Sequence, residues 1–159
     1  MKEIKIQSVV RLYQMDELDD TERMLVEKAM DATNNSYAKY SNFHVGASLI
    51  LDNGKVIIGA NQENAAYPVT LCAERTAIFA AQANYPDQPV KALAIAARNA
   101  NGFLADPISP CGSCRQVILE VEERYKSPIK IYLYGTKGVF VVDSIKDLLP
   151  LCFVEDCLY

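Results

Sequence analysis

Three cysteines in two short stretches of the sequence have the residue types and the spacing of a metal site. Cys111 and Cys114, in Ser109-Pro-Cys-Gly-Ser-Cys-Arg-Gln116, are separated by two residues. This spacing lets two thiolates from one helical turn bind a single tetrahedral zinc ion. Cys72, in Thr70-Leu-Cys-Ala-Glu-Arg75, supplies a third thiolate. Three protein ligands leave one coordination position for water, as in catalytic zinc sites, so we expect one zinc ion per chain.

The residues next to Cys72 have the chemistry that a hydrolytic zinc site needs. Glu74 lies two residues after the predicted ligand, so it can reach the water without binding the metal, as a proton carrier must. Both cysteine stretches are predicted to begin helices, whose N-termini favour thiolate over thiol. Arg75 can hydrogen-bond the sulfurs and withdraw part of their negative charge. Three His or Cys ligands, a non-ligating Glu and a later Pro-Cys-x-x-Cys form the pattern of zinc deaminases.

The single histidine and the two other cysteines lie outside these two metal-binding motifs. Nothing links His44 to the three cysteines, so we interpret it as non-catalytic. Cys152 and Cys157, near the C-terminus, are interpreted as small, partly buried apolar residues. A Cys-x-x-Cys motif by itself also fits a non-catalytic zinc module or a thiol-redox module, which would need no Glu74. That alternative stays open here.

The composition is that of an ordinary globular protein. Half of the 159 residues are hydrophobic and 23% are charged, so we expect a single domain over residues 1–159. Residues 1–17 form an N-terminal extension, in which residues 4–13 are rich enough in β-branched side chains to add an edge strand. A net charge of -4 without a basic run argues against nucleic acid as a partner. No membrane span or signal peptide is evident, so we expect a cytoplasmic protein.

The hydrophobic pattern predicts an α/β fold of three layers, α/β/α, around a five-stranded mixed sheet. Asn53-Gly54 predicts an antiparallel hairpin with a type I′ turn. A helix between the third and fourth strands predicts a parallel pair, whereas the short loop Gly135–Gly138 requires an antiparallel last strand. Ser144 with Asp147 predicts a short capped helix. The predicted strands span residues 45–51, 56–60, 90–97, 129–134 and 139–142, and the predicted helices span residues 19–34, 72–84 and 111–125.

From Tyr40 to Phe153 the chain resembles the small cytidine deaminases. The resemblance implies a cytidine deaminase-like fold and zinc-dependent hydrolytic deamination of cytidine and 2′-deoxycytidine to the uridines, with release of ammonia, in pyrimidine salvage. In this mechanism Glu74 takes a proton from the water and delivers protons to N3 of the pyrimidine and to the leaving amine. The matching stretches are Tyr40-Ser-Asn-Phe-His-Val-Gly46, Asn61-Gln-Glu-Asn-Ala-Ala-Tyr-Pro68, Cys72-Ala-Glu-Arg75, Ser109-Pro-Cys-Gly-Ser-Cys-Arg-Gln116 and Leu148-Leu-Pro150.

The resemblance also implies contacts to the substrate. Phe43 is similar to the aromatic residue that packs on the pyrimidine ring, and the backbone at Ala73 to the group that meets the base carbonyl. Asn61 and Glu63 are similar to the pair that binds the ribose 3′-hydroxyl. These residue types also suit a neutral nucleoside, which offers a flat ring to pack against and hydroxyls to hydrogen-bond.

Three further residues are implied by the same resemblance. Gln116 is similar to the neighbour of the cysteine cluster that helps to tune the site. Family members of this all-cysteine type are usually homotetramers whose active sites borrow residues from adjacent subunits. Tyr67 and Phe153 are similar to such borrowed residues, so the resemblance implies a homotetramer with shared active sites.

Other deaminase classes share the zinc motifs and stay open as alternatives. Blasticidin S deaminases are one, although Phe43, Asn61 and Glu63 favour a ribonucleoside. Polynucleotide-editing and deoxycytidylate deaminases use His in place of Cys72. The short loop before the last strand also opposes the parallel final strand typical of the editing enzymes.

Overall fold

The computed structural model describes the whole chain, Met1–Tyr159, and contains one mixed sheet of seven strands. Helix α1 packs on one face of the sheet, and α2 and α3 pack on the other, which confirms the three-layer α/β/α architecture. The strands are β1 (Arg11–Tyr13), β2 (His44–Leu51), β3 (Val56–Ala60), β4 (Val90–Asn99), β5 (Gly102–Phe103), β6 (Lys130–Gly135) and β7 (Gly138–Val142), and the helices are α1 (Asp20–Ala32), α2 (Ala73–Asn84) and α3 (Gly112–Tyr125).

The pairing of the strands follows the lengths of their connections. The order across the sheet is β1-β7-β6-β4-β2-β3, with β5 paired to β4. As predicted, β4 and β6 are parallel, and β6 and β7 are antiparallel. The sheet has two strands more than predicted: β1 retains only the end of the predicted edge segment, and β5 folds back onto β4. Strands of three and two residues are too short to show a hydrophobic period.

The hairpin between β2 and β3 is antiparallel as predicted, but the predicted type I′ turn is wrong. The N–H of Gly54 donates to the carbonyl of Leu51 at 2.9 Å, and Gly54 alone in this turn has a positive φ, +82°. A type I′ turn needs positive φ at both central residues. Because Leu51 also pairs with Lys55, three residues connect the strands, and a turn with one left-handed glycine closes a connection of that length.

The helices lie within two residues of their predicted bounds. Helix α1 ends at Ala32, and a 3-10 turn continues over Thr33–Asn35. Cys72 and Cys111 are the N-caps of α2 and α3. The predicted short helix is a 3-10 turn over Ile145–Leu148, capped by the Ser144 hydroxyl. None of the helices combines the length and the apolar character needed to cross a membrane.

Close contact with β3 fixes the position of α2. A Cβ on Gly59 would lie 2.4 Å from the backbone nitrogen of Ala77 and 2.5 Å from the carbonyl oxygen of Ala73. Only glycine allows the helix to approach the strand so closely. Ala73 and Ala77 are fully buried there. The first turn of α2, with Glu74, is therefore held directly against the sheet.

Helix α1 is tied to β6 through Glu22. Glu22 and Asp19 form a capping box at the start of α1, with hydrogen bonds of 2.8 Å and 3.2 Å. The Oε1 atom of Glu22 also accepts from the Lys130 Nζ at 2.6 Å and from the Tyr132 hydroxyl at 2.5 Å. Partial burial raises the pKa of Glu22, but the hydrogen bonds from Lys130 and Tyr132 outweigh it and hold the pKa below its ordinary value.

Glu22→Gln is expected to lower the free energy of unfolding by about 1–2 kcal/mol near pH 7, because charge-assisted hydrogen bonds are lost. A carboxylate with a lowered folded-state pKa stabilises the fold above its unfolded pKa, and this contribution is lost as the pH falls through the folded value. The difference between the two proteins should therefore shrink below about pH 4.5 in urea denaturation. Glu27→Gln, at an exposed position of α1, is the control. A difference that does not change with pH would contradict the prediction.

Candidate active site

The three predicted metal ligands meet where the N-termini of α2 and α3 adjoin. Their Sγ atoms all lie within 4.8 Å of one another, and those of Cys72 and Cys111 are 3.9 Å apart. Sulfurs bound at 2.3 Å to a tetrahedral zinc ion lie about 3.8 Å from one another, so the cluster fits zinc. Thiolates are also soft ligands, which select zinc over magnesium or calcium. Cys114 completes the set from the first turn of α3.

The cluster is open to solvent on one side only. Cys111 is exposed, Cys72 is half-buried and Cys114 is 0% exposed. A closed structural site has four protein ligands, whereas this cluster has three and an accessible side on which a small molecule can approach the metal.

Hydrogen bonds from Arg75 and between the cysteine side chains affect the charge of the sulfurs. The Arg75 Nη2 donates to the Cys72 Sγ at 3.5 Å, and its Nε is buried without an acceptor among the protein's own groups. The hydrogen bond from the Cys114 thiol, together with Arg75, lowers the pKa of Cys72 to about 5. The same hydrogen bond, together with burial, raises the pKa of Cys114. Of these two thiols, that of Cys72 is therefore the more readily ionised.

Glu74 is a buried acid beside the cluster. It lies in the first turn of α2, is 4% exposed, and lines the same cleft as Cys72 and Cys111. Burial raises the pKa of Glu74 above its ordinary value. A carboxyl group whose pKa is moved towards neutrality can both accept and return a proton.

A cleft of about 460 Å³ opens onto this acid and two of the sulfurs. Its volume lies within the usual range of small-molecule sites. Four residues that were predicted to contact the substrate line it: Phe43, Asn61, Glu63 and Ala73. Four others were not predicted. Ser41, Val45 and Ser109 fall inside the matching stretches, which was a usable signal, whereas Ile108 lies outside them.

Asn61 holds the segment that carries Phe43. Its Oδ1 accepts from the N–H of Val45 at 2.8 Å, and its Nδ2 donates to the carbonyl of Phe43 at 2.9 Å. One amide hydrogen of Asn61 is still free for a ligand. The side chain therefore bridges β2 and the cleft.

Glu63 holds the same segment from the other side. It accepts hydrogen bonds from the Ser41 hydroxyl and from the N–H of Tyr40, the latter at 2.7 Å. These bonds, that from Ser41 first, lower the pKa of Glu63, so it is ionised at neutral pH. A carboxylate has about four acceptor sites, which leaves room for a ligand hydroxyl.

Besides Cys114 and Arg75 at the cluster itself, three predicted residues do not line this cleft. Tyr67 is 70% exposed and packs edge-to-face on Tyr40, with ring centroids 5.9 Å apart. Phe153 is 58% exposed. The Nε2 of Gln116 donates to the Phe153 carbonyl at 2.9 Å, so Gln116 holds the C-terminal tail, and the hydrogen bond to a sulfur comes from Arg75 instead.

Arg115 is a functional candidate that sequence reasoning missed. Its guanidinium donates to the carbonyl of Pro110 at 2.9 Å, to the Ser109 hydroxyl at 2.6 Å and to the carbonyl of Leu148 at 2.6 Å. These bonds fix the backbone immediately before Cys111. The only signal was its place between Cys114 and Gln116 in the matching stretch.

Comparisons with known proteins agree with this geometry. The sequence model described as the cytidine and deoxycytidylate deaminase zinc-binding region matches residues 19–126. A cytidine deaminase of Halalkalibacterium halodurans is 39% identical over 84% of this chain and 95% of its own length. The crystal structure of a cytidine deaminase from Burkholderia pseudomallei superposes with a TM-score of 0.70 and 42% identity, covering 82% of this chain and 97% of that one. A blasticidin-S deaminase of Bacillus cereus is 29% identical over 83% of this chain and 91% of its own. The chain therefore belongs to the family of zinc-binding cytidine and deoxycytidylate deaminases.

Proposed function

We propose that this chain hydrolytically deaminates cytidine and 2′-deoxycytidine to uridine and 2′-deoxyuridine, with release of ammonia, as a single domain acting in cytoplasmic pyrimidine salvage. The observation that carries the proposal is the shared cleft. The Glu74 carboxylate and two cysteine sulfurs line it together with an aromatic ring and two side chains suited to hydroxyl groups.

Cys72, Cys111 and Cys114 hold the zinc ion, which when bound acts as a Lewis acid and lowers the pKa of water. Glu74 takes a proton from the water that attacks C4 of the pyrimidine, and it delivers protons to N3 and to the leaving amine. Water is consumed, the bond from C4 to the amine breaks, and C4 becomes a carbonyl. Glu74 is only 4% exposed and lines the cleft, so its carboxyl group can reach a substrate there while it is largely removed from bulk solvent.

The cleft residues orient a neutral nucleoside. Phe43 packs on the pyrimidine ring, and the free N–H of Ala73 in the first turn of α2 donates to the base carbonyl. Asn61 and Glu63 bind the ribose 3′-hydroxyl. Asn61 donates its free amide hydrogen to this hydroxyl, and the Glu63 carboxylate accepts from it through a free lone pair. Because the same two side chains also hold Phe43 and Ser41, binding of the sugar and packing on the base are mechanically linked.

We also propose that the enzyme is a homotetramer with shared active sites. Two large aromatic side chains, Tyr67 and Phe153, are exposed on this chain, as expected of residues that serve a neighbouring subunit. Mass measurement in solution tests this assembly, and a monomer at micromolar concentration would contradict it.

An ultraviolet assay with cytidine, 2′-deoxycytidine and blasticidin S tests the proposed activity. We expect both nucleosides to be deaminated with one ammonia per turnover. The value of kcat/KM for blasticidin S should be at least about 100-fold lower, because groups that bind ribose would be left unpaired. Zinc is measured on the same sample. One zinc ion per chain without ammonia release would contradict the proposal and favour a non-catalytic zinc module.

A further inference from the structure

His44 lies at the start of β2, next to Phe43, and its two ring nitrogens contact different segments. Its Nδ1 lies 2.6 Å from the Ser36 Oγ, and its Nε2 lies 3.1 Å from the Asn42 Oδ1. The Ser36 Oγ also lies 2.8 Å from the carbonyl oxygen of Thr33, which holds Ser36 in place. Contacts at both ring nitrogens fix the orientation of the His44 ring.

Asn42 has a backbone conformation that needs support. Its φ of +53° lies in the left-handed region, which asparagine adopts more readily than other non-glycine residues when its side chain forms a local hydrogen bond. Its N–H donates to the carbonyl of Ala38 at 2.9 Å, and its side chain meets His44. The contact joins the Asn42 Oδ1 to the His44 Nε2. His44 can thus hold the side chain of Asn42.

The turn at Asn42 sets the positions of the two cleft residues beside it. The N–H of Phe43 donates to the Ser41 Oγ at 3.0 Å, and Ser41 in turn bonds the Glu63 carboxylate. Both Ser41 and Phe43 line the cleft. A change in the backbone at Asn42 therefore displaces the aromatic ring and the partner of Glu63 together.

We propose that His44 is a positioning residue for nucleoside binding: its ring, held between Ser36 and Asn42, fixes the left-handed turn that presents Phe43 and Ser41 to the substrate. The inference rests on the proposed function. It assigns His44 no contact with the substrate and no proton transfer, because its side chain is directed to the loop.

His44→Ala is expected to raise KM for cytidine about 5- to 10-fold and to leave kcat within about twofold, because Glu74 and the metal ligands are untouched. Zinc should remain at one per chain. His44→Gln places its amide nitrogen where Nε2 lies and should keep KM within about twofold of the wild type. His44→Asn reaches only the position of Nδ1, so its KM should match that of the alanine variant.

A double-mutant cycle tests the link through Asn42. Asn42→Gly adopts the left-handed conformation without strain, so in that background His44→Ala should change KM by less than about twofold. This pair also serves if His44→Ala alone fails to fold. The inference is overturned if His44→Ala leaves KM unchanged, lowers kcat alone, or acts additively with Asn42→Gly. A wild-type chain that does not deaminate cytidine would instead overturn the proposed function, and the inference with it.

Discussion

Glu74→Gln is expected to reduce kcat for cytidine by about 100- to 10,000-fold while one zinc ion per chain stays bound. The amide keeps the size of the carboxyl group but cannot accept and return a proton. Because burial raises the pKa of Glu74, its charge opposes folding above the ordinary carboxyl pKa, so the variant should melt no lower than the wild type. The expected result is thus a stable, metal-loaded, inactive protein.

The measurement pairs ammonia release with metal analysis and thermal melting on the same samples. Glu120→Gln is a matched control, since Glu120 is exposed on α3 and should tolerate the change with full activity. Titration with uridine, the product, tests whether the cleft still binds a nucleoside. Turnover near the wild-type value in the Glu74 variant would contradict its assignment as the proton carrier.

Cys114→Ser is expected to release the zinc ion and, with it, all deamination. The serine hydroxyl is a poor substitute for a thiolate, and the side chain is completely buried, so no water-exposed group can take its place. Loss of a metal that binds only the folded chain also removes its contribution to stability, so the melting temperature should fall.

Cys152→Ser is the control for this variant. Cys152 lies in the C-terminal tail, where its thiol donates to the carbonyl of Leu149 at 2.9 Å, so it should retain zinc and activity. Treating the wild-type enzyme with a chelator should reproduce the loss of activity, and added zinc should restore it. If Cys114→Ser keeps a full equivalent of zinc, the proposed ligand set is wrong.

Local rules were sufficient to predict most of the fold. Runs of apolar residues located the five long strands, and the lengths of their connections gave the parallel pair β4–β6 and the antiparallel pair β6–β7. The type I′ turn failed because three residues, not two, connect the paired positions Leu51 and Lys55, a loop length that the Asn-Gly dipeptide alone does not fix. The strands β1 and β5 depend on pairing with distant residues, so no local pattern reveals them.

The candidate site also has a part that the sequence predicts and a part that only the structure reveals. The three cysteines and Glu74 can be identified from the sequence because they lie in two short motifs with a fixed local spacing. The structure brings the three sulfurs of these motifs together. The bonds that tie Asn61 to Phe43 and Glu63 to Ser41 join residues about 20 positions apart. The sequence shows which chemical groups these residues carry. That Asn61 and Glu63 both support the segment with Ser41 and Phe43 and line the cleft is seen only in the tertiary structure.

The short strand β1 also has a consequence for aggregation. A long, bare edge strand offers unpaired backbone groups on which other chains can pair. Here β7 is covered by β1, which is three residues long and whose Arg11 forms a 2.7 Å ion pair with Asp143. Short, charged borders resist the growth of a sheet from one molecule to the next. The short β1 strand thus limits edge-to-edge strand pairing between molecules at this border of the sheet.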